Sequence, residues 1–277
     1  MKRTLAVLTL VLLAGIMFFG CSKNSPVAPT GTAEDISQYL RPEFIDNRPA
    51  EVIAQYTLID CEPVALDKNT PKGAKYALVI GISAYPYPNT LKYCDDDARD
   101  WAQRLQQEGY TVTSVIDNQA TKNNIESAVN TLASRAIAGN EIAFCYSGHG
   151  YKGQMISVDM YYLSDTWLKS KLGNAASTKM AFAFDACQIG SMKSALNGTG
   201  RVIAVASSSS SLSYDGDASM SNGVFTYYQM KAFDQLGYIY YEPDCQYACD
   251  NFIAWAKAKR LKVSPSYSDT YTGQMDL

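Results

Sequence analysis

The sequence predicts an α/β fold in which a mostly parallel central sheet carries helices on both faces. Two observations support this prediction: short continuous apolar runs recur along the chain, and stretches with helically spaced apolar residues separate them. Continuous apolar runs are typical of strands buried on both faces, and helices commonly connect parallel strands. The 277 residues suffice for one large domain, and a net charge of −3 does not favour a nucleic-acid partner.

The strands and helices alternate from residue 76 onward. The first predicted strand, Tyr76–Ile82, reads YALVIGI. The other predicted strands are Tyr110–Ile116, Glu141–Tyr146, Lys179–Phe184 and Arg201–Ala206. Predicted helices span Asp95–Glu108, Trp167–Leu172, Phe225–Phe233 and Cys245–Lys259, and Thr121 caps one more. A further strand is expected around Val52–Leu58.

The amino-terminal residues indicate export. Lys2 and Arg3 precede an apolar run that is too short for a membrane span, so residues 1–20 are predicted to be a signal peptide. The run ends at Gly20-Cys21, which resembles a bacterial lipobox and implies lipidation of Cys21. Ser22 then favours the outer membrane where one exists, and residues 21–35 form a tether. The alternative is an ordinary signal peptide, with Cys21 incidental.

The remaining chain divides into an extension, residues 36–72, and a main domain, residues 73–277. Apart from Cys21 there are six cysteines, and their spacing does not specify a disulfide pairing. Cys245 and Cys249 lie one helical turn apart, a poor geometry for a disulfide. With one histidine and no Cys-x-x-Cys pair, metal-ligand spacing is absent, so neither a metal nor another cofactor is predicted.

Two of the predicted strands lead into residues suited to nucleophilic catalysis. The third strand is followed by His149, the only histidine, and the fourth by Cys187. If these strands are parallel neighbours, both side chains emerge at one sheet edge, where ligands collect in such folds. An imidazole can activate a thiol and protonate the leaving amine, and the N–H groups of Gly150 and Cys187 could hold an oxyanion. Cys145, within the third strand, is expected to be core.

These motifs resemble the caspase, metacaspase and gingipain superfamily of cysteine peptidases. The resemblance covers about residues 74–260 and rests on five segments. They are Ala77–Ser83, Leu91–Ala98, Tyr146–Gly150, Asp185–Gly190 and Ser221–Thr226. It implies a caspase-like three-layer sandwich and an endopeptidase that acts through a thioacyl intermediate. The alternatives are a caspase-fold interaction module without peptidase activity, and a structural surface lipoprotein whose tyrosine-rich face binds polysaccharide or another protein.

The resemblance also implies a pocket for the residue before the scissile bond. Its expected lining is Cys94, Asp97, Ser147 and Asp185. Two carboxylates favour a cationic side chain, so the expected partners are proteins or peptides with Arg or Lys at the cleavage site. The alternative role of Asp97, like that of Asp95 and Asp96, is to complement a helix N-terminus. Asp215 and Asp217 are further candidates for the rim of the cleft.

Two remaining features concern regulation. Calcium-activated metacaspases supply several aspartates from nearby loops, whereas only Asp159 and Asp165 occur between the two motifs here. No metal is therefore predicted. Lys193, in the segment from Ser191 to Gly200, and Arg201, which follows it, are candidate autocleavage points.

Overall fold

The computed structural model describes residues 35–58 and 61–277. The predicted signal peptide, Cys21 and the tether up to residue 34 lie outside the described residues. Among the described helices, none is both long and apolar enough to cross a membrane.

A six-stranded sheet forms the centre of the described domain. The described strands are β1 (Lys75–Gly81), β2 (Thr111–Ile116), β3 (Glu141–Ser147), β4 (Gly150–Tyr151), β5 (Gln154–Ile156), β6 (Tyr162–Ser164), β7 (Lys179–Asp185), β8 (Arg201–Val205) and β9 (Ser266–Asp269). The central sheet has the order β2-β1-β3-β7-β8-β9, and only β9 pairs antiparallel with its neighbour. The predicted fold class is therefore confirmed.

Helices cover both faces of this sheet. They are α1 (Ala50–Gln55), α2 (Cys94–Gln107), α3 (Lys122–Ser134), α4 (Asp165–Leu172), α5 (Ser191–Ala195), α6 (Val224–Asp234) and α7 (Tyr241–Ala258). Successive side chains of a strand point to opposite faces. In β1, Leu78 accordingly packs in the core with α3, α4 and α5, and Val79 in the core with α2, α6 and α7. The result is three layers with two apolar cores.

The segment before the sheet differs from its prediction. The strand expected around Val52–Leu58 is wrong: residues Ala50–Gln55 form helix α1, and only Thr57 makes an isolated parallel bridge to Tyr162. Pro49 precedes the first helical residue and Glu51 lies in the first turn, both of which favour a helix start. This short helix packs beside the small antiparallel sheet β4-β5-β6, which the sequence analysis did not identify.

The two candidate autocleavage points lie in ordered structure. Lys193 is in α5 and its Nζ donates to Ser266 Oγ at 2.8 Å. Arg201 is the first residue of β8, is 6% exposed, and donates to the carbonyl of Leu196 at 2.6 Å. Arg201 is thus less accessible to a peptidase than a surface loop would be, and cleavage at either residue stays a prediction.

Candidate active site

The register of the sheet brings the two motifs together. Ser147 in β3 lies opposite Asp185 in β7, and both strands run in the same direction. His149 and Cys187 each follow these paired residues by two positions. The two strands are parallel neighbours, and His149 and Cys187 lie the same number of residues beyond a paired position. Both residues therefore emerge at the same edge of the sheet.

The side chains of His149 and Cys187 line one cavity of about 50 Å³. The backbone N–H of Ser213 lies 3.3 Å from Cys187 Sγ, and the Ser213 carbonyl lies 3.7 Å from the same sulfur. Gln188 has a φ of 52°, a left-handed conformation that non-glycine residues rarely adopt. Residues 207–213, which follow β8 and include six serines, are here called the serine loop. Cys187 is therefore held in a turn by contacts with this serine loop and by the left-handed backbone of Gln188.

Backbone and aromatic groups orient the His149 ring. Its Nε2 lies 2.7 Å from the carbonyl oxygen of Asn89. A carbonyl can only accept, so Nε2 carries the proton and, in the neutral ring, Nδ1 carries the lone pair. The Tyr85 ring centroid lies 4.7 Å from that of His149, and Tyr146 Oη donates to the His149 carbonyl at 2.7 Å. These contacts leave Nδ1 as the basic atom of the site.

Burial keeps both members of the pair neutral. Burial lowers the pKa of His149 to about 4, against the raising effect of its bond to Asn89. Burial also raises the pKa of the Cys187 thiol, although Arg41 opposes that shift. Neutral thiol and neutral imidazole are thus the forms favoured in this conformation at neutral pH.

Gly150 allows the two motif loops to approach closely. A Cβ added at residue 150 would lie 2.0 Å from the carbonyl oxygen of Cys187, which no side chain could tolerate. The backbone beside His149 therefore contacts the backbone of Cys187 directly. The role of the Gly150 and Cys187 N–H groups in holding an oxyanion remains a prediction.

An acidic pocket lies next to the pair and contains the guanidinium of Arg41. Arg41 Nη1 lies 2.9 Å from Asp185 Oδ1, and Arg41 Nε lies 2.7 Å from Asp215 Oδ1. Arg41 Nη2 lies 3.7 Å from Asp97 Oδ2. The four side chains are at most 3% exposed, so this cluster is a buried one.

Hydrogen bonds fix the carboxylates of this acidic pocket. Ser147 Oγ donates to Asp97 Oδ2 at 2.6 Å, and the N–H of Gly223 donates to Asp97 Oδ1 at 2.9 Å. Ser213 Oγ donates to Asp185 Oδ1 at 2.6 Å, and Thr226 Oγ1 donates to Asp185 Oδ2 at 3.0 Å. The predicted lining residues Asp97, Ser147 and Asp185 therefore lie together.

Cys94 and Asp217 complete the comparison with the sequence-based predictions. Cys94, the first residue of α2, is fully buried beside this cluster, and burial raises the pKa of its thiol well above the usual range. Asp215 lies in the pocket. Asp217 does not: its carboxylate accepts from the N–H of Ser219 at 2.9 Å in an exposed turn. The place of Asp217 at the rim of the cleft stays a prediction.

The charges of the acidic pocket depend on one another. Burial alone would lower the pKa of Arg41, but the surrounding carboxylates, Asp185 foremost, raise it well above its usual value. Burial, together with the charge of Asp185, raises the pKa of Asp97 well above the ordinary range. Burial also raises the pKa of Asp215, against the effect of Arg41. The aspartates therefore keep Arg41 protonated, while burial opposes the full ionisation of Asp97 and Asp215.

Two important residues were not identified from the sequence. Arg41 lies 144 positions from Asp185, and no periodicity or motif marks it as a partner. Asn89 acts on His149 through a backbone carbonyl, which any residue type could supply. Elsewhere among residues 35–58 and 61–277, no group of three or more His, Cys, Asp or Glu side chains could hold a metal ion.

A partly buried thiol and a buried imidazole at the carboxyl edge of a parallel sheet, beside a buried cluster of aspartates around Arg41, are typical of a caspase-like α/β protein. A family model described as the caspase domain matches residues 74–245, which is more than half of the chain. The chain therefore belongs to the caspase-domain family of cysteine peptidases.

Individual relatives agree with this assignment. Metacaspase-1 of Scheffersomyces stipitis is 33% identical over an alignment of 88 residues, which covers 28% of this chain and 22% of that relative. The match thus spans about a fifth of the length of the curated relative. A crystal structure of a Geobacter sulfurreducens protein superposes with a TM-score of 0.55 and 18% identity. It covers 72% of this chain and 93% of that protein, a likeness of fold.

Proposed function

We propose that this protein is a cysteine endopeptidase that cleaves peptide bonds after Arg or Lys. The observation that carries the proposal is the guanidinium of Arg41 between the carboxylates of Asp185 and Asp215, beside the pair of His149 and Cys187. A pocket that holds an arginine of its own chain has the charge and hydrogen bonds to hold that of a substrate.

The chemistry follows from the roles of the two side chains. The Cys187 sulfur attacks the carbonyl carbon, and His149 Nδ1 takes the thiol proton and delivers it to the leaving nitrogen. The C–N bond breaks to give a thioester, which water then hydrolyses to a carboxylate and the free thiol. The N–H groups of Gly150 and Cys187 would stabilise the oxyanion of each tetrahedral intermediate.

A matched pair of cysteine variants tests the nucleophile. Cys187→Ala should abolish hydrolysis of a saturating arginine-ended reporter peptide. Cys145→Ala, which removes a buried thiol of β3, should leave the reaction in place. An arginine-directed electrophilic peptide should label the wild type and Cys145→Ala but not Cys187→Ala. Undiminished hydrolysis by Cys187→Ala would exclude Cys187 as the nucleophile.

A matched pair of aspartate variants tests the specificity. In protein that also carries Arg41→Ala, so that no cation of the chain fills the pocket, Asp185→Asn should lower kcat/KM for arginine-ended reporters by ~10²-fold or more, because a buried carboxylate that pairs with a charge contributes several kcal/mol. Asp96→Asn, at an exposed carboxylate of α2, should change it less than about twofold. Equal effects of the two variants would contradict the assignment of the pocket.

We also propose that the protein is exported and lipidated at Cys21, so that it reaches the cell envelope. The basis is the basic and apolar start of the sequence and its Gly20-Cys21 pair. Metabolic labelling with a fatty acid should mark the wild type and spare Cys21→Ala. Equal labelling of the two would exclude this site.

A further inference from the structure

Residues 39–45, here called the crossing segment, run across the active-site edge of the sheet. Before Arg41, the crossing segment pairs with the chain that follows the serine loop. Leu40 forms an antiparallel bridge with Tyr214, and the N–H of Asp215 donates to the Tyr39 carbonyl at 3.0 Å. Main-chain pairing of this kind is how many proteins bind extended peptides.

After Arg41, the crossing segment covers the catalytic pair. Pro42, Glu43 and Phe44 line the small cavity that contains His149 and Cys187, and the Phe44 ring centroid lies 5.4 Å from that of His149.

Two side-chain bonds then hold the far end of the crossing segment. Asn89 Oδ1 accepts from the N–H of Ile45 at 2.8 Å, and Asn89 Nδ2 donates to the carbonyl oxygen of Ile45 at 2.9 Å. The crossing segment is therefore fixed on both sides of the reacting groups.

The order of these contacts is that of a bound substrate. A strand-paired stretch comes first, then a cation in the acidic pocket, and then residues that lie over the nucleophile. The bond that such a substrate would present to Cys187 follows the buried cation, and here it joins Arg41 to Pro42. The crossing segment thus occupies the site on both sides of the Arg41–Pro42 bond and prevents other peptides from binding there.

We propose that the crossing segment is an intramolecular pseudosubstrate that holds this enzyme inactive until it is displaced. The proposal rests on the function proposed above. Pro42 accounts for the survival of the bond: its nitrogen is part of a ring, carries no hydrogen, and has a fixed φ. The leaving nitrogen therefore cannot turn freely to accept the proton of His149, and the C–N bond stays intact.

The size of the effect follows from effective concentration. The tether gives the crossing segment an effective concentration of ~1 mM. If the same segment bound as a free peptide with a dissociation constant of ~10 μM, it would lower the apparent affinity of a competing peptide ~100-fold. Releasing the crossing segment should therefore raise the apparent affinity of the site for an arginine-ended peptide by the same factor.

Binding without chemistry tests the occupancy. In full-length protein carrying Cys187→Ala, a fluorescent Tyr-Leu-Arg amide should bind ~100-fold more tightly once Arg41→Ala is added. Arg48→Ala is the matched control, because that guanidinium pairs with Asp46 outside the pocket. Equal affinity of the Arg41→Ala protein and its parent would overturn the proposal.

Asn89→Ala guards against a failure of Arg41→Ala to fold. It removes only the two side-chain bonds to Ile45 and leaves the acidic pocket and the Asn89 carbonyl in place. It should raise the affinity for the same peptide severalfold. No increase in folded Asn89→Ala protein would also count against the pseudosubstrate.

Hydrolysis separates this proposal from the function on which it rests. With Cys187 intact, Arg41→Ala should hydrolyse the reporter much faster than the wild type does. Tighter binding without hydrolysis in any variant would refute the peptidase function and retain the occupancy. Equal, rapid hydrolysis by wild type and Arg41→Ala would refute autoinhibition and retain the function.

Pro42→Ala tests why the crossing segment survives. The variant should cut itself after Arg41, which mass spectrometry would detect as a chain that begins at position 42. Adding Cys187→Ala should prevent the cut. An active enzyme that leaves the Pro42→Ala chain whole would overturn the role given to the proline.

Discussion

Helix α2 contributes aspartates to two clusters, each around one arginine, and the two clusters differ in burial and in the pKa shifts of their carboxyl groups. Asp95 and Asp96 pair with Arg99, whose side chain is 52% exposed. Asp97, the next residue, faces inward and meets the 1% exposed Arg41. Consecutive carboxylates of one helix turn thus belong to a solvated surface pair and to a buried site.

The difference teaches that burial, more than proximity, decides what a charge does. Hydrogen bonds to Ser83 and Arg99 outweigh partial burial and lower the pKa of Asp95. Full burial raises the pKa of Asp97 although Arg41 is near. The surface cluster tolerates the loss of a member, whereas the buried cluster requires a cation.

The largest expected effect is on stability. Arg41→Ala should lower the free energy of unfolding by ~3–5 kcal/mol, because it leaves three buried carboxylates without their counter-ion. Arg99→Ala should cost less than ~1 kcal/mol, because water already screens that pair. Urea unfolding of the two variants measures both. Similar losses would show that the buried cluster is not a coupled unit.

A buried neutral group gives the next largest effect. The pKa of His149 is depressed to about 4 in the folded state, so the unfolded chain binds a proton first as pH falls. The contribution of His149 to stability is therefore present above pH ~6.5 and is lost as pH falls towards 4, by ~3 kcal/mol in all. The pH dependence of unfolding should be flatter by this amount in His149→Gln than in the wild type. Parallel curves would contradict burial of a neutral ring.

The smallest effect sharpens the comparison directly, because Asp95 and Asp97 should show opposite pH dependence. The pKa of Asp95 is lower in the folded state than in the unfolded chain. Asp95 therefore stabilises the fold at pH values above its unfolded pKa, and this stabilisation is lost as pH falls. The pKa of Asp97 is higher in the folded state than in the unfolded chain. The free energy of unfolding that protonated Asp97 contributes is therefore present at low pH and is lost as pH rises. Relative to wild type, Asp97→Asn should gain stability as pH rises, and Asp95→Asn should gain it as pH falls, by at most ~1.4 kcal/mol per pH unit. Equal slopes would refute the contrast.

The sheet could be predicted because its signals are local. β1, β3 and β7 are continuous apolar runs, and a strand buried on both faces needs little else. The strands β4 to β6 are two or three residues long and mix polar with apolar positions, so no periodicity marks them. The helix near Val52 was mistaken for a strand because six residues are too few to distinguish the two periods.

The candidate site was predictable only where a motif carries it. His149 and Cys187 follow continuous apolar strands, and His149 lies between two glycines, whereas Arg41 lies in a segment rich in proline and polar residues. The carboxylates that pair with Arg41 come from α2, the end of β7 and the chain that follows the serine loop. Contacts of such long sequence separation depend on the whole fold, and a single sequence does not encode them in any local pattern.

Gly223 gives the acidic pocket a further property, which concerns shape. A Cβ at this position would lie 2.2 Å from Arg41 Nη2 and 2.4 Å from Asp185 Oδ2. The backbone of Gly223 therefore forms one wall of the pocket, and a methyl group at this position would fill part of the space that the guanidinium occupies. A long cationic side chain would then no longer fit, although every carboxylate would still be present. Gly223, which carries no charge, thus limits the length of the side chain that the pocket can hold.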